Sequence, residues 1–160
     1  MTFYHLNKSV KAQREIFPKI TLNDLRKFPI KNISFENQKL FIKKVDRIMI
    51  LNEELLNKKT KFINRILQNF NLKKLSNQLH DFDELNFKQF IDELKKQKVT
   101  LTLEKQDEWE TYFEEKKKTI PNLKQEINQL ENEIDKMVYT IYDLTDEDIE
   151  IIEKELTILK

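Results

Sequence analysis

The sequence of 160 residues contains no glycine, and this absence constrains the fold more than any other feature. Tight β-hairpins need backbone positions with positive φ, which glycine adopts at the least cost. A glycine-rich loop that cradles phosphate groups is excluded outright. Hydrophobic residues make up 39% of the chain and charged residues 36%, a balance typical of globular and coiled-coil proteins. The sequence therefore predicts a helical protein with a thin core.

Two ladders of mainly apolar residues, at alternating steps of four and three, predict two long helices. The first helix is expected over residues 35–70. The second is expected over residues 103–142, with Thr102 as its N-cap and a kink or break near Pro121. Because the ladders have similar lengths, the two helices should pair with each other. The ladder residues are Phe41, Val45, Ile48, Asn52, Leu55, Lys59, Phe62, Ile66 and Asn69 in the first helix, and Trp109, Phe113, Lys116, Ile120, Leu123, Ile127, Leu130, Ile134, Met137 and Ile141 in the second.

The segments outside the two ladders predict shorter elements. Residues 71–101 form the tip between the long helices, with a short helix capped by Asn86 and Gln89. Asp143 is expected to end the second long helix in a left-handed conformation, after which Thr145 caps a short helix over residues 146–156. The predicted fold is all-α: a long antiparallel helical hairpin (coiled coil) with a short helical cap at its tip and a short C-terminal helix, over residues 34–160.

Charge is distributed unevenly along the chain. Residues 1–80 hold 17 lysines and arginines against 6 acidic residues, whereas residues 81–160 hold 12 against 22. The first half therefore carries a net charge of +11 and the second half −10. A half that faces nucleic acid, joined to an acidic supporting half, would show this asymmetry. Pairing of a basic helix with an acidic helix explains it equally well.

Several kinds of chemistry have no support in the sequence. The absence of cysteine removes disulfides and thiolate metal sites, which fits a cytoplasmic protein, and no apolar run is long enough to cross a membrane. Asp83, Glu93 and Lys95 superficially match the carboxylate and lysine pattern of metal-dependent nucleases. However, Glu93 and Lys95 are two residues apart on a predicted helix and so point in different directions. We therefore expect no catalytic residues, no cofactor and no metal.

Three segments carry a family resemblance. Glu133–Glu153 resembles the pattern EIDxxVYxLYGLTxEEIxIIE, which closes the target-recognition region of bacterial adenine-specific DNA methyltransferases and of their fusions with an endonuclease. The segment Phe17–Ile30 is similar to the end of the recognition domain in these restriction-modification enzymes. The segment Phe35–Asp46 is similar to the start of the long helix that follows that domain. Asp143 departs from the pattern, which usually has glycine at this position.

This resemblance implies a non-catalytic role in recognising a DNA target. Residues 1–33 would be an irregular remnant of the end of a recognition domain, and the hairpin would hold DNA recognition in place relative to the catalytic domain. The implied partners are DNA, bound weakly through its phosphates, and the methyltransferase or endonuclease portion of the parent enzyme; a homodimer through the helices is also possible. The DNA-contact candidates are Lys19, Arg26, Lys27 and Lys31. The alternative is a stand-alone coiled-coil module that binds proteins and not DNA.

Overall fold

The computed structural model describes residues 29–158 together with Leu22 and Arg26. The chain divides after Ser34, and the fold below is that of the unit that begins at Phe35. Within the described residues every regular element is helical and no strand is present, which confirms the predicted all-α class. Most of the predicted irregular segment, residues 1–33, lies outside the described residues, so the domain division remains a prediction.

Helix α1, Phe35–Asn69, forms the first arm of the hairpin and is about 50 Å long. The second arm runs back along it. Arg47 Nη2 lies 2.7 Å from Glu126 Oε1, and one turn nearer the start of α1 the Lys44 ammonium pairs with Glu133, which lies later in the second arm. Contacts in this order show that the two arms run antiparallel, as predicted. The ends of α1 also agree with the predicted range to within one residue.

The second arm is one bent helix made of α4, Leu103–Lys117, and α5, Ile120–Ile141. Lys118 and Thr119, which join them, keep right-handed helical dihedral angles. Pro121 causes the bend, because it has no N–H to donate to the Lys117 carbonyl and its ring would collide with that carbonyl. Pro121 lies in the first turn of α5, which is the part of a helix that proline destabilises least. The predicted kink is thereby confirmed, and so is the Thr102 cap, whose hydroxyl accepts from the Lys105 N–H.

Between the arms lie two short helices and a single 3₁₀ turn. Helix α2 covers Asn77–His80, the 3₁₀ turn covers Phe82–Glu84, and helix α3 covers Phe87–Lys96. The predicted capping box of α3 is present, since the Asn86 side chain accepts from the Gln89 N–H and the Gln89 side chain accepts from the Asn86 N–H. Helix α6, Asp146–Ile158, follows the second arm, and its Thr145 cap is also present.

Three helices end in a left-handed residue although the chain has no glycine. The residues are Asn71 after α1, Lys98 after α3 and Asp143 after α5, with φ values of 49°, 65° and 52°. At each of the three ends the next residue's N–H donates to a carbonyl five positions earlier, as in the Schellman motif. The prediction for Asp143 is confirmed. Lysine is the least suited of the three, because Asn and Asp tolerate this conformation better.

Replacing Lys98 with glycine should raise the free energy of unfolding by about 1 kcal/mol, because glycine avoids the steric cost of a Cβ atom at positive φ. Chemical denaturation of both proteins measures the difference. Lys95→Gly is the matched control: Lys95 lies in the last turn of α3, where glycine should instead lower the free energy of unfolding by about 1 kcal/mol. A loss of stability in K98G would contradict the assignment of a strained helix end.

The core is concentrated at the tip of the hairpin. Its largest fully buried side chains are Phe62, Phe82, Phe90 and Phe113, each with no exposed surface. A second, smaller cluster lies farther along the arms, where Leu51 packs against Leu123 and Ile127. Fourteen hydrophobic residues in the described part of the chain are buried, which is a thin core for 130 consecutive residues, as expected.

The first ladder was partly wrong. Asn52 and Asn69 are exposed, and each side chain donates to the backbone carbonyl four residues earlier rather than facing the second arm. Val45 is also largely exposed, while Leu51, which was not in the ladder, is 1% exposed and packs in its place. Because residues 51 and 52 are neighbours on the helix, either could have bordered the face that meets the second arm. In the structure α1 is oriented so that Leu51 lies on this face and Asn52 does not. In the second ladder every residue is buried or half-buried, as predicted.

Candidate functional site

A buried carboxylate joins the tip to both arms. Asp83, in the 3₁₀ turn, has a side chain only 2% exposed. Lys59 Nζ of α1 lies 2.9 Å from its Oδ1, and Lys124 Nζ of α5 lies 2.5 Å from its Oδ2. Lys59 also reaches Asp81, at 2.9 Å. Asp83 Oδ1 therefore forms an ion pair with Lys59 while it is buried from solvent.

The charges of this cluster keep Asp83 ionised. Burial by itself would raise the pKa of Asp83, but the two ammonium groups, Lys124 and Lys59, outweigh it and lower the pKa below its ordinary value. Burial would lower the pKa of Lys59, yet Asp81 and Asp83 raise it overall. The pKa of Lys124 is raised, chiefly by Asp83. A carboxylate that stays ionised between two lysines is suited to holding elements together rather than to general acid–base chemistry.

The residues of the nuclease-like pattern have separate partners. Asp83 belongs to the cluster above, whereas buried Glu93 lies 2.5 Å from Lys96 Nζ and Lys95 pairs with Asp92 on the surface of α3. Among the described residues, no group of three or more histidine, cysteine or acidic side chains is placed to hold a metal ion. None of the helices in the described part of the chain has both the length and the apolar character needed to cross a membrane.

Helix α1 has a second apolar face that the hairpin leaves exposed. Phe35, Ile42, Met49 and Leu56 follow one another at intervals of seven residues, and Val45 lies three residues after Ile42. We call these five residues the outer stripe. Their exposed fractions run from 44% for Val45 to 66% for Phe35. Apolar residues at heptad spacing form one half of a coiled-coil seam, and the positions three residues on, which form the other half, hold Gln38, Val45 and Asn52.

Charged residues run along one side of the outer stripe. Lys39, Asp46 and Glu53 are all exposed and also lie seven residues apart, each four positions after a residue of the stripe at Phe35, Ile42 or Met49. In a coiled coil these are positions that pair with charges on the partner helix. The sign changes from positive to negative along α1, so two copies placed antiparallel would set Lys39 against Glu53 at both ends.

Near the other end of α1, four cations line a groove of about 500 Å³. Lys58, Lys61 and Arg65 lie along one face of α1, and Lys116 comes from α4. The carboxylate of Glu115 also lines the groove and lies 2.8 Å from Lys116 Nζ. We call this feature the cationic groove. Its lining carries a net positive charge that is spread along the helix.

The cationic groove continues into a shallower hollow of about 260 Å³ that shares Arg65 and Tyr112 with it and is also lined by Trp109, Asn69 and the carboxylate of Glu108. We call this hollow the aromatic shelf. Phe113, which belongs to the second ladder with Trp109, is fully buried in the core, as that ladder predicts. Trp109 and Tyr112 also contact the core through Phe62 but are only half-buried, so each retains exposed surface.

The predicted DNA-contact residues are only partly described. Arg26 is exposed in a turn, where its backbone N–H donates to the Leu22 carbonyl, and Lys31 is exposed before α1. Lys19 and Lys27 lie outside the described residues. Their role therefore stays a prediction. The outer stripe and the cationic groove were not predicted, although the seven-residue spacing of Phe35, Ile42 and Met49 was a detectable signal.

Comparison with known proteins gives a family but no activity. A family model described as a domain of unknown function (DUF8810) matches residues 34–138, which is about two thirds of the chain and spans the hairpin from the start of α1 into α5. No curated protein and no solved structure matches this chain. The family match provides no link to restriction-modification enzymes, so that resemblance also remains a prediction.

Proposed function

Since the chain belongs to the family of domains of unknown function DUF8810, we propose its function from its own surface: it is a non-catalytic helical module that associates with a second copy of itself through the outer stripe. The observation that carries this proposal is the pair of apolar faces on α1. One face packs against the second arm through residues such as Leu51 and Phe62, while the outer stripe has no such cover within the described residues. Exposed apolar surface at heptad spacing favours helix association.

A second copy can match the charges that flank the outer stripe. The flanking residues Lys39, Asp46 and Glu53 include both signs. An antiparallel second copy meets opposite charges at Lys39 and at Glu53, because the twofold axis exchanges the two ends, and only Asp46, at the axis, meets its own counterpart. This arrangement also leaves the second arm in its place on the other face of α1.

The proposal is tested by sedimentation equilibrium of the full chain. The wild-type protein should be a dimer, and the double variant Ile42→Glu with Met49→Glu should be a monomer with unchanged helix content. The matched control is Leu40→Glu with Ile50→Glu, which makes the same change at two exposed α1 residues away from the outer stripe. This control should remain a dimer. A monomeric wild-type protein, or equal dissociation of both variants, would refute the proposal.

The antiparallel arrangement has its own test. Lys39→Glu should weaken the dimer by placing like charges together, and adding Glu53→Lys to it should restore the dimer. Failure of the second change to restore association would exclude the antiparallel pairing while leaving the outer stripe as the interface.

A second candidate function is the one implied by the sequence resemblance: the helical arm of the DNA target-recognition region of a restriction-modification methyltransferase or endonuclease, acting in the cytoplasm. What supports it is the conformation of Glu133–Glu153, in which α5 ends at a left-handed Asp143 and α6 begins at a capped Thr145, as the family pattern implies. Co-purification with a methyltransferase portion encoded beside this chain tests it. Absence of a complex, with no gain in sequence-specific DNA binding, would count against this function.

A further inference from the structure

We infer that the cationic groove and the aromatic shelf together bind single-stranded nucleic acid. The inference does not depend on the outer stripe, which begins at the opposite end of α1. It depends on three properties of the site: a line of positive charge, exposed aromatic surface beside it, and a size that suits an unpaired strand.

The positive charge is arranged as a line. Lys58, Lys61 and Arg65 are three and four residues apart on α1, so they extend over about 10 Å of helix. Lys58 Nζ lies 3.4 Å from Glu54 Oε1, whereas Lys61 and Arg65 form no ion pair within the described residues. A ligand with one compact negative charge could meet only part of this line. A chain of phosphates could contact all three side chains at once.

The aromatic shelf distinguishes nucleic acid from other polyanions. Trp109 and Tyr112 form its aromatic wall, Asn69 and Glu108 line its edge, and Arg65 lies at the junction with the cationic groove. The Tyr112 ring already has the Lys116 ammonium 5.0 Å from its centre, so the site combines cationic and aromatic groups. Bases stack on aromatic side chains in proteins that bind single strands, whereas the carboxylate side chains of an acidic peptide have no ring to stack there.

The dimensions favour a single strand over a duplex. Bases in a duplex are stacked on one another, so their faces are not available to Trp109 or Tyr112. The hollow beside the cationic groove measures only about 260 Å³. The side-chain amides of Asn64 and Gln68 also line the groove and can hydrogen bond to the edges of unpaired bases.

The single tryptophan of the chain allows a direct test, because Trp109 lies in the aromatic shelf. Titration of the full chain with a single-stranded oligonucleotide should quench its tryptophan fluorescence. The same sequence as a duplex, and poly-glutamate of equal charge, should bind at least tenfold more weakly. Binding should decrease roughly twentyfold from 50 to 200 mM salt if three phosphates are neutralised.

Charge reversal tests the location of the site. Lys61→Glu with Arg65→Glu should weaken binding of the single strand at least tenfold. Lys73→Glu with Lys74→Glu is the matched control, since both lysines are exposed and neither lines the groove, and this variant should bind nearly as tightly as the wild type. Tyr112→Leu should weaken binding while retaining its salt dependence.

Three results would overturn the inference: no binding of the single strand, equal weakening by the two charge-reversal variants, or poly-glutamate binding as tight as that of the oligonucleotide. The last result would instead assign the groove to an acidic peptide. Because the oligomeric state is measured separately, failure here leaves the proposed dimer intact, and a monomeric protein leaves this inference intact.

Discussion

Replacing Phe62 with alanine is expected to lower the free energy of unfolding by about 4 kcal/mol, the largest effect of any single change considered for this chain. Phe62 has no exposed surface and lies at the centre of the tip cluster. Its ring is 4.0 Å from that of Phe82, centre to centre, in a stacked arrangement. The rings of Phe90, Trp109, Tyr112 and Phe113 lie within 6.3 Å of it.

The cost is large because one side chain connects several elements. Phe62 belongs to α1, while its neighbours belong to the 3₁₀ turn, α3 and α4. Removing the ring would leave a cavity that only concerted movement of these elements could close, and close packing resists such movement. Aromatic contacts also contribute beyond the area that they bury.

Urea denaturation followed by circular dichroism measures this effect. Ile50→Ala is the control, because Ile50 lies in the same helix, is 56% exposed and does not belong to the outer stripe, and its replacement should change the free energy of unfolding by less than about 0.5 kcal/mol. An F62A variant as stable as I50A would show that the phenylalanine cluster at the tip does not hold the hairpin together.

The second large effect concerns Asp83, whose replacement by asparagine should cost about 3 kcal/mol. The change keeps the shape of the side chain but leaves Lys59 and Lys124 facing a neutral amide. Breaking a buried ion pair by removing one partner is costly because the remaining charge is uncompensated. The value is at the lower end of the usual range because both lysines retain some access to water, with side chains 20% and 41% exposed.

The pH dependence of stability gives this prediction a signature. Since the folded pKa of Asp83 lies below its ordinary value of 3.8, its contribution is present above that pH and is lost as the pH falls through the lowered pKa. Since the folded pKa values of Lys59 and Lys124 lie above 10.5, their contributions are present below pH 10.5 and are lost as the pH rises through the raised values. In D83N, the free energy of unfolding should therefore depend less on pH in both the acidic and the alkaline range.

Denaturation of wild-type and D83N proteins across a pH series tests both statements. Asp92→Asn is the matched control, because Asp92 pairs with Lys95 on the surface and such pairs contribute little. It should change the free energy of unfolding by less than about 1 kcal/mol at any pH. If the free energy of unfolding of D83N depended on pH in the same way as that of the wild type, other carboxylates would control acid unfolding.

The sequence predicted the hairpin because its main determinants are local. The absence of glycine, the two ladders and the caps at Asn86, Thr102 and Thr145 each act within a few residues, and all point to the same fold. The bend was also predictable, since it follows from Pro121 alone. Such features need no knowledge of what packs against them.

The predictions fail where contacts between distant segments determine which residues are buried and which are paired. Helix α1 has apolar residues on more than one face, so steps of four and three can be traced through Asn52 as readily as through Leu51. Only contact with Leu123 and Ile127 shows that Leu51 is the buried residue. Asp83 was noticed for its fit to a nuclease pattern, but its partners Lys59 and Lys124 are 24 and 41 positions away, and no local pattern brings them together.

The candidate surfaces were missed for a similar reason. A lysine in the sequence does not reveal whether it lines a groove, and Lys58, Lys61 and Arg65 become a site only because α4 brings Lys116 and Tyr112 beside them. The heptad spacing of the outer stripe was visible, yet its exposure was not, because the same helix also had to bury a face against the second arm.

The uneven core implies a gradient of local stability along the hairpin. Its four fully buried phenylalanines are all at the tip, whereas α1 contains no buried residue before Leu51. Segments with few buried contacts open locally at low free energy, so amide hydrogens should exchange slowly at the tip and progressively faster toward Phe35. A second copy bound along the outer stripe would cover the region that opens most readily. Association would thus complete the folding of the arm as well as join two chains.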